Sequence, residues 1–312
     1  MDMQGIAEKV VAIQQDRGKG AAQLAADAVR LLGGMAVAGE INDAQFADLL
    51  PRTARALGKS RPSMAPLLNG AGALLAAWLE AGGRSMRAEA RNAVAEAAQR
   101  WIARQETAAA MIEDHAAETI SGTVITLSYS STVIRALAAC WDRSLLSGVI
   151  VGESRPLLEG RRTAAELASR GVPVALITDA EMGIFVSSAN FAVVGADTIM
   201  AGGAVANKAG TLLLALAARR CHVPFYTLAD TQKIAPAPGH HRRMPFTIEE
   251  KDMDEVLPER IEGVAVRNAY FDLTPGRYVT GYVTEEGVLT RREVAERARR
   301  APGAILLSAE RG

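Results

Sequence analysis

Residues 121–132 read SGTVITLSYSST. The run VITL, residues 124–127, has the pattern of a short buried strand. It leads directly into five hydroxyl-bearing residues, Ser128, Tyr129, Ser130, Ser131 and Thr132. The stretch STVIRALAACWDR, which begins inside that cluster, has helical spacing. A strand that ends in polar residues and feeds a helix is the repeating unit of parallel α/β sheets, and such sheets hold their ligands at the carboxyl ends of the strands. Three roles are open to the hydroxyl cluster: a catalytic centre, a phosphate cradle, or a polar turn that caps the helix.

Downstream the same pattern recurs. Apolar runs GVIVG (148–152), PVALIT (173–178), FAVVGA (191–196) and PFYTLA (224–229) alternate with the helical stretches GRRTAAELASRG and NKAGTLLLALAARRC. Hydrophobicity within these runs is continuous rather than alternating, which predicts strands covered on both faces, hence a parallel sheet with crossover helices. FDLTPGRYVTGYVTEEG (271–287) predicts a last structural strand. Upstream the character changes. Ala22, Leu24, Ala25, Ala28, Val29 and Leu32 recur at helical intervals, and GAAQLAADAVRLLGG (20–34) has a glycine entry and a Gly33–Gly34 stop. Further helices are predicted over 43–57, 63–80 and 84–116. The expected organisation is an α/β protein with an all-helical domain over 1–118 and a parallel-sheet domain over 119–312.

Several motifs fall at the predicted strand ends. ESRPLLEGRRTA (153–164) puts Arg155 at the sheet edge, where a guanidinium can grip a phosphate or merely decorate a surface loop. Arg161 and Arg162 begin the next helix and read more as solvated than as ligands, although an arginine that opposes the helix dipole raises the chance that one of them faces an anion. GADTIMAGGAVANKAGT (195–211) places Asp197 at a strand tip, then a glycine loop, then Asn207 and Lys208, read as the start of a helix. An acid facing an anion cradle and a structural Asp with a capping Asn are the two alternatives. Asp179 in LITDAEMG reads chiefly as a turn or cap residue. DRGKGAAQ (16–23) sets Arg17, Gly18 and Lys19 before a helix, and RPSMAP (61–66) presents Arg61 in the same way. His240 and His241 with Arg242 and Arg243 sit in PAPGHHRRMP (236–245), which reads as a loop rather than a metal site.

Composition narrows the class. Basic and acidic side chains balance at 35 each, so nothing points to nucleic acid or an anionic membrane. The N-terminal stretch lacks the layout of a secretory signal, and no apolar run approaches the ~20 residues that span a bilayer. Two cysteines, Cys140 and Cys221, form neither a disulfide framework nor a zinc pattern. They read as small buried hydrophobes in a cytoplasmic protein.

At ESRPLLEGRRTA, LITDAEMG, GADTIMAGGAVANKAGT, VPFYTLAD and FDLTPGRYVTGYVTEEG the chain resembles the family of the alpha, beta and delta subunits of eukaryotic translation initiation factor 2B. That family also contains ribose-1,5-bisphosphate isomerase and methylthioribose-1-phosphate isomerase. DRGKGAAQL and RPSMAPLLN extend the resemblance into the helical half. It implies a helical N-terminal domain, a Rossmann-like C-terminal domain and a homodimer or larger homo-oligomer, with no cofactor. The isomerases use a Cys in a Thr-His-Cys-Asn type motif and the Asp of Gly-Ala-Asp. Asp197 keeps the acid, whereas Thr126-Leu127-Ser128-Tyr129 puts Ser128 at the Cys position and Leu127 at the His position. Gly202 stands where the family usually has Asn. A thiol ionises near pKa ~8.5, while a serine hydroxyl needs a partner base. Loss of the proton-transfer group costs a factor of about 10²–10⁴. The resemblance therefore implies a binder of a phosphorylated sugar or nucleotide. Its ligand contacts are Arg17, Gly18, Lys19, Arg61, Tyr129, Ser130, Arg155, Asn207 and Lys208. An active aldose-phosphate isomerase using Asp197 and a ligand-free assembly subunit are the alternatives.

Overall fold

The computed structural model describes residues 2–16, 19–61, 63–85, 87–237 and 250–308. Five helices come first: α1 (Met3–Gln15), α2 (Ala21–Val37), α3 (Asp43–Lys59), α4 (Ala65–Glu80) and α5 (Arg87–Thr119). Leu24, Leu32, Met35, Phe46, Leu50 and Leu74 are the centre of their shared core. Helix α1 falls in a segment that periodicity did not single out as helical. Helix α2 runs three residues past the predicted Gly33–Gly34 stop. The reason is packing. A Cβ on Gly33 would lie 2.5 Å from the Ala98 Cβ of α5, so this glycine serves close helix–helix approach rather than termination.

Helix α5 is about 50 Å long at 1.5 Å per residue and takes part in two cores. Ala90, Val94, Ala98 and Trp101 pack in the helical core, whereas Ile112 and Ala116 pack under the sheet. The chain then alternates: β1 (Gly122–Leu127), α6 (Ser131–Asp142), β2 (Leu146–Gly152), α7 (Glu159–Ser169), β3 (Val174–Ile177), α8 (Met182–Phe185) and β4 (Phe191–Val194). After β5 (Thr198–Ile199) and β6 (Val205–Lys208) come α9 (Thr211–Arg220), β7 (Phe225–Leu228), β8 (Phe271–Thr274), β9 (Gly281–Thr284), β10 (Gly287–Leu289), α10 (Arg291–Arg300) and α11 (Ala304–Ser308). Leu306 of α11 returns to the helical core.

The main sheet has the order β10-β9-β7-β4-β1-β2-β3. Its pairings are parallel except β10 with β9. Each of the five strands predicted from continuous apolar runs is present. Val124 and Val149 face a core under α5, α6 and α7, while Ile125 and Ile150 face one under α8 and α9. Coverage on both faces is the physical origin of the continuous pattern.

A second sheet, β5-β6-β8, is antiparallel. It corrects the placement of Asn207 and Lys208, which end strand β6 and pair with Asp272 and Phe271 of β8. The helix begins only at Thr211, after Gly210 at φ 106°. Asp272 accepts hydrogen bonds from the N–H groups of Gly210 (2.8 Å) and Leu212 (3.0 Å), so it caps α9 from across the small sheet. Among the described residues, no helix is long and apolar enough to cross a membrane.

Candidate functional site

The strand order reverses between β1 and β4, with β2 and β3 to one side and β7 and β9 to the other. In open parallel sheets the ligand crevice lies outside the carboxyl ends of the strands at such a switch point. A cavity of about 910 Å³ opens there, between the ends of β1 and β4, the entry to α2, and the stretch 250–271.

Ser128 follows β1 directly and has φ 68°, a left-handed conformation that costs a non-glycine residue of order 1 kcal/mol or more. The turn is held on both sides. The Ser128 N–H donates to Ser154 Oγ at 2.6 Å, and its carbonyl accepts from Thr163 Oγ1 at 2.6 Å. Ser130 is the N-cap of α6, its Oγ accepting from the Val133 N–H at 3.4 Å. The hydroxyl cluster thus divides its roles: Ser130 caps the helix while also lining the cavity with Ser128 and Tyr129.

Asp197 lies past β4, half-buried on the cavity wall. Burial pushes its carboxyl above the ordinary value. Lys233, Lys208 and a hydrogen bond from the Ala21 N–H pull the other way. That N–H belongs to the first residue of α2, so the helical half of the chain contributes a positive helix end to the acid. Lys208 is buried, 2.5 Å from Glu159 Oε1, with the Tyr270 ring centroid 4.7 Å from its ammonium. Asn207 donates to Thr211 Oγ1 at 3.0 Å, which ties the end of β6 to the first turn of α9. Tyr129 lies under the Arg162 guanidinium, 3.9 Å from the ring centroid, and donates to Glu166 Oε2 at 3.2 Å. Burial and the adjacent Glu166 raise its phenol above the usual value.

Of the residues singled out in sequence, Lys19, Arg61, Ser128, Tyr129, Ser130, Asp197, Asn207 and Lys208 share this cavity. Lys19 bonds Asp27 at 2.8 Å, and Arg61 donates to the Asp16 carbonyl. Arg155 is not among the lining residues. It is exposed, its guanidinium donates to the Val256 carbonyl at 3.2 Å, and its N–H is held by Asp179. Asp179 also accepts from the Ser154 N–H, in keeping with its reading as a turn residue. Arg17, Gly18 and the His240–Arg243 motif lie outside the described residues. Arg162, one of the two arginines left open to face an anion, lines the cavity, and sequence reasoning missed Glu159, Lys233, Lys251 and Tyr270, which line it too.

With this geometry in hand, comparison with known proteins is decisive. Residues 17–291 match the model of the initiation factor 2 subunit family. The chain belongs to that family. A putative translation initiation factor eIF-2B subunit 2-like protein of Pyrococcus horikoshii is 34% identical over 280 residues, covering 89% of this chain and 93% of that one. The ribose 1,5-bisphosphate isomerase of Archaeoglobus fulgidus is likewise 34% identical, over 291 residues, 92% of this chain and 90% of that enzyme. The crystal structure of the Pyrococcus horikoshii OT3 translation initiation factor eIF-2B superposes with a TM-score of 0.78 at 32% identity. The superposition spans 93% of this chain and 98% of that one. Within the family, this chain is therefore similar both to a protein named for translation initiation and to one named for sugar-phosphate chemistry.

Proposed function

We propose that this chain binds a phosphorylated sugar or nucleotide in the cavity at the ends of β1 and β4, without thiol-dependent isomerase chemistry. The observation that carries the reading is the set of cations that line the cavity, Arg61, Arg162, Lys208 and Lys233 among them, together with a serine at the strand end where the resembling isomerases place a cysteine. Cations gathered at a switch point suit a phosphate. Among the described residues no base is bonded to the Ser128 hydroxyl, and Leu127 offers none. Titration calorimetry with ribose 1,5-bisphosphate, methylthioribose 1-phosphate and AMP tests the reading. Heat is expected for at least one, and none for all three removes it.

A second reading, an active aldose-phosphate isomerase, is favoured by Asp197. It is a half-buried acid whose proton affinity is raised by burial while two lysines stand near it. Turnover of ribose 1,5-bisphosphate that disappears in Asp197→Asn would replace the first reading with this one. We also propose a cytoplasmic homo-oligomer. Ile184 and Phe185 of α8 and Leu213 and Leu216 of the adjoining α9 expose an apolar face that association would cover. Light scattering on the purified protein and on Leu213→Asp checks it, with a wild-type monomer as the contrary result.

A further inference from the structure

Lys208 already holds an anion where it meets the cavity. Its ammonium is 2.5 Å from Glu159 Oε1, with side-chain exposures of 7% for the lysine and 20% for the glutamate. The rings of Tyr270 and Phe271 lie 4.7 and 5.9 Å from the same ammonium, so π faces make up part of its remaining surroundings. Glu159 Oε2 is buried and has no hydrogen-bond partner among the described residues. A carboxylate paired through one oxygen while the other is buried without a partner is an incomplete partner, because the cost of removing it from water is only partly offset. The negative charge of Glu159 also acts on Asp197, which lines the same cavity. Glu159 is the first residue of α7, an eleven-residue helix, so a carboxylate that lets go of Lys208 can turn toward that helix's own positive end.

We propose that Glu159 is a built-in counter-anion that a ligand's phosphate must displace from Lys208, so that it sets how much negative charge a ligand needs in order to bind. The inference rests on the phosphate-binding reading above. A neutral sugar cannot outcompete a buried carboxylate for an ammonium, whereas a phosphate dianion brings more charge and more acceptor oxygens. Glu159 acts through Lys208, as a selectivity residue rather than a direct ligand contact.

The test is calorimetric titration of the wild type, Glu159→Gln and the double variant Glu159→Gln/Lys208→Met with three probes: inorganic phosphate, ribose 1,5-bisphosphate and ribose. Glu159→Gln is expected to bind both phosphate compounds roughly tenfold tighter or more, the gain from removing one competing charge in a partly desolvated site. Ribose affinity should not change, and the double variant should lose the gain. A merely structural role for Glu159 would move all three probes together. Equal or weaker phosphate binding by a folded Glu159→Gln overturns the proposal, leaving Glu159 as a clamp for Lys208. Should Glu159→Gln melt far below the wild type, Glu159→Asp at reduced reach is titrated instead, with a smaller gain expected and no gain counting against. If the wild type binds phosphate compounds and the variant is unchanged, only this inference falls. If neither protein binds either phosphate compound, the phosphate reading of the cavity falls with it.

Discussion

Gly160→Ala tests whether the site depends on the close approach of α7 to the end of β2. Two effects oppose one another. Alanine is favoured over glycine inside a helix by about 1 kcal/mol, so on propensity alone the variant should be more stable. The structure predicts the opposite sign. A Cβ on Gly160 would fall 1.9 Å from the Gly152 carbonyl oxygen and 2.9 Å from the carbonyl carbons of Gly152 and Glu153. Reaching an ordinary contact near ~3.3 Å requires a retreat of more than ~1 Å. Neither side yields cheaply. Gly152 is paired with Ile177 of β3, and the Gly160 N–H is bonded to the Glu153 carbonyl at 3.1 Å. Overpacking against backbone costs about 1–3 kcal/mol, occasionally more, and the strained hydrogen bond adds about 1 kcal/mol. The net expectation is a loss of about 2 kcal/mol, read as a lowered denaturation midpoint at unchanged slope. Gly183→Ala is the internal control, because a Cβ there meets nothing within 4 Å and the variant should be neutral or slightly stabilised. A Gly160→Ala protein as stable as Gly183→Ala would refute the reasoning.

Three further outcomes follow from the same residues. Ser128→Cys should fold normally, since the left-handed backbone at φ 68° treats the two side chains alike, and should raise turnover of ribose 1,5-bisphosphate at least tenfold over wild type by coupled assay. A variant that binds the compound yet shows no gain would mean that the missing thiol is not what limits chemistry. Burial lifts the Asp272 carboxyl from 3.8 to about 6, against the pull of the Leu212 and Gly210 N–H donors. A raised carboxyl stabilises fully below its unfolded value and loses that contribution as pH rises through 6. Wild type should therefore gain about 1 kcal/mol over Asp272→Asn between pH 7.5 and pH 5.5 by denaturant titration, and parallel curves would contradict this. Burial raises the Cys140 thiol to about 11, while Cys221 is half-exposed. Iodoacetamide at pH 8 should label native protein once, at Cys221, and unfolded protein twice by mass spectrometry.

Five of the seven strands of the main sheet were legible as short continuous runs, and in β1, β2, β4 and β7 burial on both faces writes that run. Residues Val124 and Ile125 show this directly, each apolar and each facing a different core. Two readings failed where a local signal had a distant cause. Gly33 resembles a stop, yet its lack of a side chain is required by Ala98 on another helix. In NKAGT the real helix start is Gly210 and Thr211. Asn207 and Lys208 belong to a strand because Phe271–Thr274, far along the chain, pairs with them. No local window contains that partner.

The choice between the arginines of ESRPLLEGRRTA shows how a site residue becomes legible once one boundary is fixed. Sequence alone weighed Arg155 at the sheet edge evenly between phosphate contact and surface loop, and read Arg161 and Arg162 more as solvated, with one of them open to face an anion. Helix α7 begins at Glu159, and helical geometry then puts Glu159, Arg162 and Glu166 along one face at intervals of three and four. That face lines the cavity with Glu159 and Arg162, while Glu166 reaches it only through Tyr129. Glu159 holds Lys208, Arg162 covers the Tyr129 ring, and Glu166 receives the Tyr129 hydroxyl. Arg161, one position off the face, pairs with Glu153 at 2.8 Å on the exposed side instead. Arg155 precedes the helix, so it escapes this periodicity and turns to the Val256 carbonyl. A start for α7 one residue earlier would carry Arg161 to the place that Arg162 now holds. The left-handed Leu158 at φ 59° and the tight seat of Gly160 fix that start. The positive charge that the cavity receives from this motif is therefore decided by two backbone positions, neither of which carries a charge.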